Sequence, residues 1–170
     1  MMKRKAQVFV TACSFFFAAF VVGLTATRLR RKQIVPDKYA ADAHTWWIWA
    51  ENMYAAASVL FDPQRPGLWF GAAQLGALAL EAFLKAALIR NGHTVVREDV
   101  WGHDLPKLAK KLASEIQAFP PEIIANVRVF SNLFEELRYP SALKRVKGLG
   151  EYEGELLTET VKMLRPYAKD

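Results

Sequence analysis

The chain has 170 residues, 52% of them hydrophobic and 12% aromatic, which is enough for one well-filled core and too little for two. Its formal charge of +6 is unevenly placed: residues 1–36 hold seven of the 23 Lys and Arg and no acid, so the remaining 134 residues set 16 bases against all 17 acids. A near-neutral globular part excludes nucleic-acid binding by bulk charge, and the single cysteine, Cys13, excludes an intrachain disulfide and a cysteine-rich zinc site.

Residues 6–27 form a run of 22 residues without a charge, flanked by Lys3-Arg4-Lys5 and by Arg28, Arg30, Arg31 and Lys32. At about 1.5 Å per residue such a run crosses a hydrocarbon layer of about 30 Å, so residues 1–36 read as a transmembrane or signal-anchor helix with basic flanks. The excess of basic residues after the run places the globular part, residues 37–170, in the cytoplasm, anchored to the membrane. Alternatives are a cleaved signal peptide and a downstream translation start that leaves a cytoplasmic protein. Val10-Thr11-Ala12-Cys13 imitates a lipoprotein cleavage box, but the apolar run continues well past the cysteine.

From residue 37 onward the pattern is helical throughout. Asp37 or Asp42 can cap a first helix over about residues 40–61, in which Trp46, Trp49, Ala50, Met53, Ala57 and Leu60 share one face, while Trp47, Tyr54 and Phe61 repeat every seven residues. Such an aromatic surface suits a core or a dimer seam. Asp62-Pro63-Gln64-Arg65-Pro66-Gly67 breaks the helix. Residues 71–89, GAAQLGALALEAFLKAALI, contain only Gln74, Glu81 and Lys85 as clearly polar side chains, and all three fall within one narrow stripe at 100° per residue. A helix apolar nearly all round is a buried one, so this segment is predicted to be the central strut, stopped at Asn91-Gly92.

Asp104 is placed to cap a third helix, with Leu105, Leu108, Leu112 and Ile116 inward and Lys107, Lys110 and Lys111 on the wet face. Pro121 opens a fourth helix whose Ile123, Val127, Phe130, Phe134 and Leu137 alternate spacings of four and three. Leu157, Val161 and Leu164 mark a last helix over about residues 153–167. No segment alternates with a period of two, so an all-α bundle of four to five helices is expected, with no sheet.

The three histidines, His44, His93 and His103, are not at metal-ligand spacings, and no phosphate loop, dinucleotide fingerprint or nucleophile elbow occurs. No metal or cofactor is expected. What stands out is Leu80-Glu81-Ala82-Phe83-Leu84-Lys85-Ala86 on the central helix, then Gly102-His103-Asp104-Leu105 opening the third, then Arg138-Tyr139-Pro140 ending the fourth. Glu81 and Lys85 are four residues apart on an apolar helix and need buried partners, for which His103, Asp104, Arg138 and Tyr139 are the candidates. Two uses of this set stay open. One is a polar tie between helices; the other is a nucleotide cleft lined by Lys85, His103, Arg138 and Tyr139, with cations on phosphate and the tyrosine stacked on a base.

This order of motifs over about residues 40–168 resembles the HEPN family (higher eukaryotes and prokaryotes nucleotide-binding domains). The resemblance implies a HEPN-like helical bundle, commonly a homodimer, that binds nucleotides or RNA or serves toxin-antitoxin and related systems beside a nucleotidyltransferase-type partner. Ribonuclease members of the family carry an Arg followed after four to six residues by a His near the end of the bundle. After Arg138 this chain has Leu143, Lys144 and Arg145 where that histidine is expected. The spacing recurs from Arg97 to His103, in another part of the expected fold. The resemblance therefore implies a non-catalytic binding or interaction module. Its alternatives are a ribonuclease toxin using Arg97 or Arg138 with His103, and a structural membrane-associated oligomer.

Overall fold

The computed structural model describes residues 42–93, 102–137 and 149–169. The anchor segment 6–27, the cap candidate Asp37 and the site candidates Arg97, Arg138 and Tyr139 lie outside them. The described residues form five α-helices and no strand: α1 (Ala43–Leu60), α2 (Trp69–Arg90, led in by a 3-10 turn over Pro66–Leu68), α3 (Leu105–Glu115), α4 (Pro121–Leu137) and α5 (Glu151–Ala168).

The helix α2 is the axis of the bundle. α1, α3, α4 and α5 all pack on it, and α4 also touches α3 and α5. By length and composition α2 and its lead-in could cross a membrane, yet 78% of the apolar window is buried inside the bundle, the position expected of a helix with so few polar marks. Leu80, Phe83, Leu84 and Leu88 are fully buried along it, against Leu112, Ile123, Val127, Phe130, Leu157 and Leu164 from three other helices. Small residues let these helices come close. A Cβ on Gly76 would lie 3.0 Å from Leu157 Cδ2 and 3.4 Å from Phe130 Cε1, so α2, α4 and α5 meet there closely enough that a methyl group would require Leu157 to shift.

Caps define the ends as the sequence predicts. Asp42 accepts from the Thr45 N–H at 2.7 Å, which holds its carboxyl below the usual carboxylate range. At the other end of α2, Gly92 takes φ +87°, the His93 N–H reaches the Leu88 carbonyl and the Gly92 N–H the Ile89 carbonyl, a Schellman stop that a side chain at Gly92 would oppose. His93 Nε2 then meets the Glu115 carboxylate at 2.7 Å and ties the ends of α2 and α3 together.

One inward assignment is corrected. Trp49, expected in the core stripe of α1, is 39% exposed, while Trp46, Trp47, Tyr54 and Phe61 pack partly buried against the core around the fully buried Ala50 and Ala57. The reason is that α1 is apolar on several sides, so three-and-four spacing alone does not choose among overlapping faces. Ile116 packs on the core as expected, and does so as the C-cap of α3, in extended backbone. α1 is also fastened to α5 by a bond that spacing does not reveal. Arg165 grips Glu51 through Nε and Nη2, both at 2.8 Å, with its guanidinium 5.1 Å from the Tyr54 ring, and the pairing raises the Arg165 pKa further.

Candidate functional site

Each of the three polar side chains within residues 71–89 of α2 finds a partner in another helix or at its edge. Gln74 Nε2 donates to the Leu137 carbonyl at 3.1 Å and so satisfies an end group of α4. Glu81 is 4% exposed and uses both carboxylate oxygens: Lys85 Nζ donates to Oε1 at 2.5 Å, and His103 Nδ1 lies 2.7 Å from Oε2. Lys85, 3% exposed, also sits 4.9 Å from the centre of the Trp46 ring on α1. A buried ammonium thus lies between a carboxylate and an aromatic face, a setting that suits a charge taken out of water.

The turn that delivers His103 has a physical basis in each residue of Gly102-His103-Asp104-Leu105. Gly102 adopts φ +138°, a conformation that favours glycine. Asp104 accepts from the Lys107 N–H at 2.9 Å and caps α3, and Leu105 enters the core at 2% exposure. With its neighbours thus fixed, His103 lies over the α2 stripe. Its inner edge meets Glu81, its ring centroid is 6.3 Å from that of Phe134, and 62% of the side chain remains exposed. A carboxylate only accepts, so the ring donates its Nδ1–H and the outer nitrogen, Nε2, is left for a solvent-side partner.

The structure therefore brings Glu81, Lys85 and His103 together and gives Asp104 a different task, capping the helix beside them. Lys85 does not face an open cleft: its ammonium lies under Trp46 and against Glu81. The crevice beside Glu81 and His103, lined also by Ala77, Leu105 and Phe134, is too narrow to admit even a water molecule, whereas small-molecule pockets begin at roughly 300 Å³. A ligand here would rest on the surface and touch His103 rather than enter. A wider groove between the end of α1 and α5 is lined by Phe61 and Pro63 and by Glu151, Glu155 and Glu159 against the single cation Lys162, a net negative charge that opposes a phosphate. Sequence reasoning missed Trp46 as the cover of Lys85. Nothing in the spacing of the two residues signals it, because they sit on separate helices. Among the described residues no group of three His, Cys, Asp or Glu is placed to hold a metal ion.

A helical bundle strung on one apolar helix, with a buried Glu–Lys pair held by the histidine of a Gly-His-Asp-Leu turn, defines a recognisable class. The HEPN domain family model matches residues 43–169, most of the chain, and the protein belongs to the HEPN family. Comparison with curated proteins and with solved structures found no match.

Proposed function

We propose that this HEPN protein is a binding module for a nucleotide or for RNA, without chemistry of its own, in which His103 is the group presented to the ligand. One observation carries this reading. The Glu81 carboxylate anchors the inner edge of an imidazole whose side chain is 62% exposed, a degree of positioning that a surface histidine without a role has no need of. The reading extends to the setting of the protein: tethered to the membrane through residues 6–27, with the bundle in the cytoplasm, working beside a nucleotidyltransferase-type partner in a toxin-antitoxin or similar system.

A ribonuclease needs, beside its proton-transfer group, a cation for the phosphate as the 2′-hydroxyl attacks. Among the described residues, Lys85 is the cation of this cluster, and it is buried against Glu81 and Trp46. The sequence adds that no histidine follows Arg138 at the required spacing. The Glu81–His103 pair does favour one alternative, an acid–base histidine oriented by a carboxylate, which would make the chain a ribonuclease.

One experiment separates these. The full chain is titrated with ribonucleotides and with short single-stranded RNA, and binding and RNA turnover are followed together. Binding without turnover is expected, weakened about tenfold in His103→Ala, the worth of one good hydrogen bond to a charged ligand. Turnover lost in His103→Ala would establish the ribonuclease. Equal binding by the wild type and by His103→Ala, or no binding by either, would remove His103 from the site and leave a structural role.

A further inference from the structure

α1 turns an uncharged face outward. At about 100° per residue Ile48, Trp49, Asn52, Ala55, Ala56 and Val59 fall within about 120° of arc, and all six are exposed. Three of the five large hydrophobic side chains exposed among the described residues, Ile48, Trp49 and Val59, are gathered there, Val59 at 74%. Glu51, the one acid of α1, lies off this arc and is held by Arg165. The outer surfaces of α3, α4 and α5, by contrast, all carry exposed Lys, Arg or Glu. A face of this kind is unusual on a surface that has only water to meet.

We infer that this face lies in the headgroup layer of a lipid bilayer, so that α1 seats the bundle on the membrane surface. The inference rests on the membrane tether proposed above. Fourteen residues, 28–41, separate the apolar run from the Asp42 cap, which makes α1 the first helix of the bundle after the run. Fully extended, that connection spans at most about 50 Å. It holds five bases, Arg28, Arg30, Arg31, Lys32 and Lys38, against one acid, Asp37. The cations that attract anionic headgroups thus stand next to α1 in sequence, and the helix itself needs none. The face has the chemistry of that layer. Trp49 joins an apolar ring to an N–H donor, the pairing that favours tryptophan at membrane interfaces. Ile48 and Val59 supply apolar surface for the acyl boundary, and Asn52 between them can bond to headgroups and water. Three bulky side chains would hold an untethered protein weakly. A tether makes the contact intramolecular, so local concentration keeps the face occupied while the contact stays reversible.

The test uses the full chain with Cys13→Ser and Val59→Cys, labelled at the new thiol with an environment-sensitive fluorophore. It is reconstituted into vesicles of phosphatidylcholine with a minority of phosphatidylglycerol, and flotation through a density gradient first reads the tether. In the floating chain the Val59 probe should emit at shorter wavelength than the same probe at Lys110→Cys on α3. It should be quenched several-fold more strongly by a lipid spin-labelled near its headgroup, and be shielded from iodide present on both sides of the bilayer. Both positions are exposed, so labelling leaves the fold intact. Ala56→Asp, which sets a charge on the face, should open the Val59 probe to iodide while the chain still floats. A chain that does not float would overturn the tether and this inference with it. A floating chain whose Val59 and Lys110 probes are equally open to iodide would overturn this inference alone. A Val59 probe shielded from iodide and from the spin-labelled lipid alike would also overturn it, and would assign the face to a protein contact.

Discussion

Glu81 and Lys85, at 4% and 3% exposure, are buried nearly as deeply as the leucines of the core, and what each does depends on which is removed first. Glu81→Leu removes the carboxylate that Lys85 Nζ and His103 Nδ1 share, and removing one partner of a buried ion pair costs about 3–5 kcal/mol. Lys85→Met is milder, because Glu81 keeps His103 at 2.7 Å. If the pair is a tie between helices, Glu81→Leu combined with Lys85→Met should recover most of the loss, since apolar side chains of similar volume replace the desolvated charges. Urea melts of the four proteins measure this cycle. A double variant as unstable as Glu81→Leu would mean that the carboxylate holds more of the fold than its ammonium, with His103 as the remaining partner. The i,i+4 spacing of Glu and Lys on an apolar helix announced this pair, and the Gly-His-Asp-Leu turn announced its third member. The cover by Trp46 was not announced, because no local rule connects a tryptophan on one helix to a lysine on the next.

Helix by helix, legibility followed contrast. α3 has four buried apolar positions set off by lysines, and its cap, stripe and wet face were readable directly. α1 has aromatic and aliphatic residues on every side and a single acid, Glu51, so its length could be read and its rotation could not, which is why Trp49 was assigned inward. The Glu51–Arg165 bond that fixes the rotation joins residues 114 positions apart, beyond the reach of periodicity. Within α2, two glycines that look alike in sequence behave differently in the fold. A Cβ at Gly71 would meet only Leu60 Cδ1, at an ordinary 3.8 Å, whereas one at Gly76 would press on Leu157 and Phe130. Gly71→Ala should therefore stabilise the protein by up to about 1 kcal/mol through helix propensity. Gly76→Ala gains the same propensity but must displace Leu157, which is 1% exposed, and overpacking of that kind costs about 1–3 kcal/mol. The expected result is opposite signs in a thermal melt, and stabilisation by both would show that α5 can retreat from α2 without loss.

At the scale of the molecule, α2 makes the bundle one cooperative body. Four helices pack on it and a single hydrophobic cluster runs through α1, α2, α3, α4 and α5, so loosening any one of them exposes apolar surface on the axis. α1 is the helix for which this is least assured. Its fully buried residues are two alanines, which contribute little apolar area, and its other attachments are part-buried aromatics and the Arg165–Glu51 bond. It also carries three of the five tryptophans, so fluorescence reports α1 while far-UV circular dichroism reports all the helices. Coincident urea transitions by the two signals are expected for the full chain, as for one two-state unit. Glu51→Gln, which removes the charge from the grip of Arg165, should pull the fluorescence transition to lower urea ahead of the helical one. Were the two signals already separate in the wild type, α1 would be a detachable arm, a segment that can open without unfolding the rest.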